Sequence, residues 1–110
     1  MLYTDFIVGE KTYKLRLATR NIVALENAIK CNPLSIFGSG DTIPEVSTMV
    51  TILWCSLQQY QHGISLNDAY DIFDKYLEEH TATDFISVIL DIYKVSGLIA
   101  KDKEDDRKNA

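Results

Sequence analysis

Two histidines, two cysteines and a spaced trio of aspartates are the side chains of this 110-residue sequence whose chemistry could go beyond packing. A hydrolase needs a nucleophile, a base and a group to orient the base. His62 and His80 both fall at predicted helix ends, where an imidazole serves the last-turn carbonyls. Cys31 and Cys55 stand 24 residues apart with no second cysteine near either, so neither a CxxC redox pair nor a zinc ligand set is present. Asp68, Asp71 and Asp74 recur every third residue along one helix flank, whereas a calcium loop gathers its ligands within twelve residues around a central glycine. Gly38-Ser39-Gly40-Asp41 follows a helical turn rather than a strand and no lysine comes after it, which describes a loop better than a phosphate cradle. GxSxG, GxGxxG and HExxH patterns are absent from the sequence. The expectation is a non-enzymatic protein with no catalytic residue, metal, cofactor or small-molecule substrate.

Charge narrows the partners. Eleven Lys and Arg against sixteen Asp and Glu give a net charge of −5, the wrong sign for a protein that binds by neutralising phosphates. The imbalance is local, because residues 41–100 hold nine acidic and two basic side chains. The longest stretch without charge, Val46 to Asn67, is too rich in Ser, Thr and Gln to span a bilayer. The opening residues lack a signal-peptide pattern, so a reducing cytoplasm is expected, with neither nucleic acid nor membrane as partner.

The proportions, 46% hydrophobic and 25% charged, suit one domain over residues 1–100. Residues 2–17 form a predicted β-hairpin turning at Gly9-Glu10. Its register sets Val8 opposite Lys11, Phe6 opposite Tyr13, Thr4 opposite Leu15 and Leu2 opposite Leu17 on one face, with Asp5 opposite Lys14 and Tyr3 opposite Arg16 on the other. Helices are predicted over about 19–30, capped by Thr19, and over 44–62, with Pro44 in the first turn. Two more cover 66–80, opened by a Ser65/Asp68 capping box, and 84–96, capped by Thr81 or Thr83 and closed by Gly97. A short turn at 33–37 precedes the 38–41 loop, and 101–110 is a disordered charged tail with four basic and four acidic residues. The fold class is α+β, mainly helical, with about four helices packed as a compact bundle behind the hairpin.

The helix over 44–62 carries its apolar sector on Val46, Met49, Val50, Leu53, Leu57 and Tyr60, yet no charge stands on its other sides, so it is expected to be covered on more than one side. The 84–96 helix is apolar over more than half its circumference. A chain this short cannot easily surround both, so Ile52, Trp54, Ile86, Leu90 and Tyr93 are the candidate protein-binding side chains. The helix over 66–80 buries Leu66, Ala69, Tyr70, Phe73, Tyr76 and Leu77 and turns Asp68, Asp71, Asp74 and Glu78 outward, where they could meet a basic partner helix.

Several segments resemble the tail assembly chaperones of long-tailed bacteriophages and Gram-positive prophages. They are Tyr13-Lys14-Leu15-Arg16-Leu17, Leu25-Glu26, Asn32-Pro33-Leu34 with Ile36-Phe37, and Ile52-Leu53-Trp54. The likeness continues through Leu57-Gln58, His62-Gly63-Ile64, Asp68-Ala69-Tyr70 and Ile72-Phe73-Asp74, and so covers residues 1 to about 99. It implies a helical, self-associating protein of the bacterial host cytoplasm. Its partner would be the aggregation-prone tape measure protein, kept soluble until tail tube subunits polymerise around it, with the tail tube protein as a second candidate partner. The alternative reading is a helix-turn-helix regulatory DNA-binding module on the segments 44–62 and 66–80. Its reading helix would present Asp68, Asp71, Asp74, Glu78 and Glu79 to phosphates, which disfavours it.

Overall fold

The computed structural model describes residues 2–37 and 43–101. Strands β1 (Thr4–Val8) and β2 (Lys11–Leu15) precede α1 (Thr19–Ile29), a 3₁₀ turn (Pro33–Phe37), α2 (Val46–Leu57), α3 (Leu66–Tyr76) and α4 (Phe85–Val95). The architecture is α+β and mostly helical. The Gly38–Asp41 loop, Thr42 and the tail from residue 102 lie outside the described residues.

The hairpin has the predicted register from Thr4↔Leu15 through Asp5↔Lys14 and Phe6↔Tyr13 to Val8↔Lys11. Gly9 takes φ 61°, and it is the one turn residue in the left-handed region, as a II′ turn requires. Pairing stops at Thr4↔Leu15 instead of reaching Leu2↔Leu17. The Arg16 guanidinium takes the Leu2 carbonyl at 3.0 Å and the Val95 carbonyl at 2.6 Å. The Leu17 N–H turns away to the Ser96 hydroxyl at 2.9 Å. Leu2 consequently stays 66% exposed.

Helix α2 is the centre of the molecule. It touches α1, α3, α4 and β2 and buries Met49, Val50, Ile52, Leu53, Cys55, Ser56 and Leu57, an arc of about 220° of its circumference. The lack of charge on this helix matches that wide buried arc, and the remaining side carries the exposed Ser47 and the half-buried Thr51 and Trp54. Its ends differ from expectation. Glu45 occupies the N-cap and Pro44 lies outside the helix, while at the other end regular helix stops at Leu57 rather than His62. Val46 and Tyr60, expected in its core sector, stand exposed at these two ends.

Side chains set the remaining helix ends. Ala18, not Thr19, is the N-cap of α1, and its N–H is accepted by the Asn21 side chain at 3.1 Å. The Ser65 hydroxyl accepts from the Asp68 N–H at 3.0 Å while the Asp68 carboxylate accepts from the Ser65 N–H at 2.9 Å. Thr81 and Asp84 repeat that reciprocal box at 3.1 and 2.9 Å. They close the turn before α4, which therefore starts at Phe85. At its C-terminus the Leu98 N–H reaches the Tyr93 carbonyl and the Gly97 N–H the Lys94 carbonyl, with Gly97 at φ 81°. This is the Schellman closure, which needs a left-handed residue at Gly97.

One end of the core is aromatic. The Phe85 ring lies 5.1 Å from that of Phe73, 5.6 Å from Tyr76 and 5.8 Å from Phe6, in edge-to-face geometry with all three. β1, α3 and α4 are thereby joined through a single side chain.

Candidate protein-binding surface

The five apolar candidates do not share a surface. Ile52 and Tyr93 are fully buried, 0% exposed, and so are unavailable to a partner. Ile52 is enclosed because α2 is packed on several sides. Tyr93 is enclosed because its hydroxyl finds an acceptor, the Pro33 carbonyl at 2.9 Å, which ties α4 to the 3₁₀ turn. Burial also pushes the Tyr93 phenol well above its ordinary pKa. Trp54 is half-buried, and its indole N–H donates to the Ile64 carbonyl at 3.1 Å. The Gln58 amide donates to the same carbonyl at 2.9 Å. Trp54 thus pins the connection between α2 and α3. Ile86 and Leu90 are half-buried on α4, with Ile86 packed against the core.

Exposed large apolar side chains are spread over the molecule, at Leu2, Ile7, Val23, Leu34, Ile43, Val46 and Tyr60, and three more line one edge of α3 and its C-cap Leu77, among those assigned to its buried face. Leu66 is 37%, Tyr70 45% and Leu77 39% exposed, while Ala69, Phe73 and Tyr76 are buried. At about 100° per residue, Leu66, Tyr70 and Leu77 fall within a stripe about 40° wide, beside the sector of Ala69, Phe73 and Tyr76. The apolar arc of α3 is thus wider than its contact with the core. Its whole width was visible in the periodicity, but which edge would protrude depends on where β1 and α2 approach.

Asp71, Asp74 and Glu78 are exposed and continue the circumference from this stripe. Asp68 does not join them. It lies about 160–200° around the helix from Leu66, Tyr70 and Leu77, and its carboxylate is engaged in the cap with Ser65. The surface of α3 therefore reads as a ridge of three apolar side chains with an acidic border on its solvent side. On the far flank of α3, a groove of about 500 Å³ against the hairpin tip is lined by Glu10, Lys11, Asp71 and Lys75 together with Val8, Tyr13 and Ile72. Its charges are mixed, two acidic and two basic.

The chain belongs to the DUF6096 family, a family of unknown function whose model matches residues 4–110. Comparison with curated proteins and with solved structures returns no match. Among the described residues no group of three His, Cys, Asp or Glu is placed to hold a metal ion, and no helix is long and apolar enough to cross a membrane. His80 stacks on the Tyr76 ring at 4.5 Å and approaches the Asp84 carboxylate at 3.9 Å, rather than serving a helix-end carbonyl as expected. Eight residues, 58–65, separate α2 from α3, whereas a helix-turn-helix joins its helices by three or four.

The two thiols differ in kind. Cys31 is exposed and Cys55 buried, and burial pushes the Cys55 thiol from 9.0 up to about 11. The fold thus favours the neutral thiol. The stability this lends is complete below pH 9 and is lost as pH rises from 9 towards 11. At pH 8 a thiol reagent is expected to modify one cysteine quickly, Cys31, and the second only when denaturant is added. Two fast equivalents in the native protein would contradict the placement of Cys55.

Proposed function

We propose that this chain is a non-catalytic binding protein of the bacterial host cytoplasm, a bacteriophage or prophage tail assembly chaperone that holds the tape measure protein in solution during tail assembly. A holding protein needs apolar surface rimmed by polar groups, so that it grips an aggregation-prone segment while staying dispersed itself. The single observation that carries this reading is the α3 ridge, where the exposed Leu66, Tyr70 and Leu77 align along one helix edge beside the carboxylates of Asp71, Asp74 and Glu78. The likeness of residues 1–99 to tail assembly chaperones supports it independently.

The test is co-expression with the tape measure protein encoded in the same gene cluster. The reading expects the long protein to move from the insoluble to the soluble fraction and to co-purify with this chain. An unchanged soluble fraction with no complex would end it.

A further inference from the structure

The two edges of the hairpin are treated unequally. In a two-residue hairpin Val8 and Lys11 exchange hydrogen bonds, and so do alternate pairs beyond them, which leaves Thr12 and Lys14 of β2, and Asp5 and Ile7 of β1, with their backbone groups facing outward. On the β2 side the protein fills this row at Lys14 and, one step on, at Arg16, with Thr12 next to the turn as the one outward residue of that strand left unmet among the described residues. The Gln61 side-chain amide behaves as a piece of a third strand, its oxygen accepting from the Lys14 N–H at 2.8 Å and its NH₂ donating to the Lys14 carbonyl at 2.9 Å. One step further the Arg16 N–H donates to the Ser56 carbonyl at 3.0 Å. On the β1 side, among the described residues, nothing meets the outward N–H and C=O of Asp5 and Ile7. Open space adjoins this strand, with a concavity lined, among the described residues, by Leu2, Tyr3, Thr4 and Asp5, and Ile7 is 62% exposed.

We infer that β1 is a strand-pairing site for β1 of a second copy of this chain, forming a continuous four-stranded antiparallel sheet across a two-fold axis. The backbone groups are self-complementary in the register that centres the axis on Phe6. Asp5 then exchanges both hydrogen bonds with Ile7 of the other copy and Ile7 with Asp5, so all four outward groups of β1 are met on both sides. Charge selects this register over its neighbour centred on Asp5, which would set two carboxylates directly opposite one another at the destabilising position. In the chosen register each Asp5 lies between Lys14 of its own hairpin and an isoleucine, and the two Ile7 side chains become diagonal neighbours that shield each other. Because Gln61 and Ser56 occupy the β2 edge at Lys14 and Arg16, an incoming strand would find only Thr12 open there, and β1 is the one edge with two successive outward residues free to pair among the described residues. The pairing closes at two copies instead of propagating.

The experiment uses the full chain with Cys31→Ser, so that Cys55, which is buried, is the one native thiol left. Asp5→Cys and Ile7→Cys variants are oxidised separately and as an equimolar mixture, and the products are read on a non-reducing gel. The proposal expects disulfide-linked dimer from the mixture and none from either variant alone. Light scattering on the unmodified chain should show the mass rising with concentration from 12.5 kDa towards twice that value, and Ile7→Lys should weaken this association about tenfold. Ile7 points to solvent, so that variant keeps the fold, which its circular dichroism verifies. A cross-link in Asp5→Cys alone would overturn the register. A constant monomer mass without cross-linking, or a dimer indifferent to Ile7→Lys, would overturn the proposal. None of these readouts involves the tape measure protein, so this inference and the chaperone reading fail separately.

Discussion

Phe85→Ala is expected to lower stability by about 3–5 kcal/mol, the usual cost of emptying a buried aromatic site, and the melting temperature by about 12–20 °C. Phe85 is fully buried and is the one ring in edge-to-face contact with Phe6, Phe73 and Tyr76. Truncation removes the transfer free energy of the ring and leaves a void bounded by three elements that cannot all close on it, because the Thr81–Asp84 box fixes the start of α4 and the β1 register fixes Phe6. A domain of this size commands about 5–15 kcal/mol in total, so this one change consumes a large part of it. Phe85→Leu retains most of the volume and is expected to cost about 1.5 kcal/mol. Urea unfolding followed by circular dichroism separates the two. If Phe85→Ala stayed within about 1 kcal/mol of the parent, the four-ring cluster would not be the anchor of β1, α3 and α4.

The features legible in the sequence are those decided by near neighbours. The hairpin register follows from period-two alternation around a glycine at the first turn position, and the caps at Ser65 and Gly97 follow from residues within five positions of each other. The uncharged flanks of α2 announced a helix covered on several sides. Yet Ile52 on that same helix was assigned to a surface, because a count of apolar positions says how much must be hidden and not which positions are. Tyr93 shows the limit most clearly. Whether its hydroxyl points to solvent or into the core depends on the Pro33 carbonyl, 60 residues away in sequence, and no local pattern encodes that contact. The same holds for Trp54, whose acceptor at Ile64 becomes available because regular α2 ends at Leu57. The α3 ridge was half legible: the arc of apolar residues was wide enough to protrude, but which edge protrudes is set by tertiary approach.

The sharpest functional expectation concerns that ridge. Under the proposed function, Leu66→Ser, Tyr70→Ser and Leu77→Ser combined should cost the chain about 3 kcal/mol of stability, since somewhat over half of each side chain is already buried. Binding should suffer at least as much. Each apolar side chain that becomes covered by a partner contributes on the order of 1–2 kcal/mol, so losing all three should weaken the complex by about 10²–10⁴-fold. Neutralising the border by Asp71→Asn, Asp74→Asn and Glu78→Gln should act differently. Exposed charges chiefly steer association, so the loss should be about tenfold, fall mostly on the association rate, and shrink as salt is raised. The two triple variants, compared by the soluble yield of co-expressed tape measure protein and by binding kinetics at two salt concentrations, assign separate roles to the ridge and its rim. Full holding activity in the serine variant, with its fold intact, would remove α3 from the binding surface.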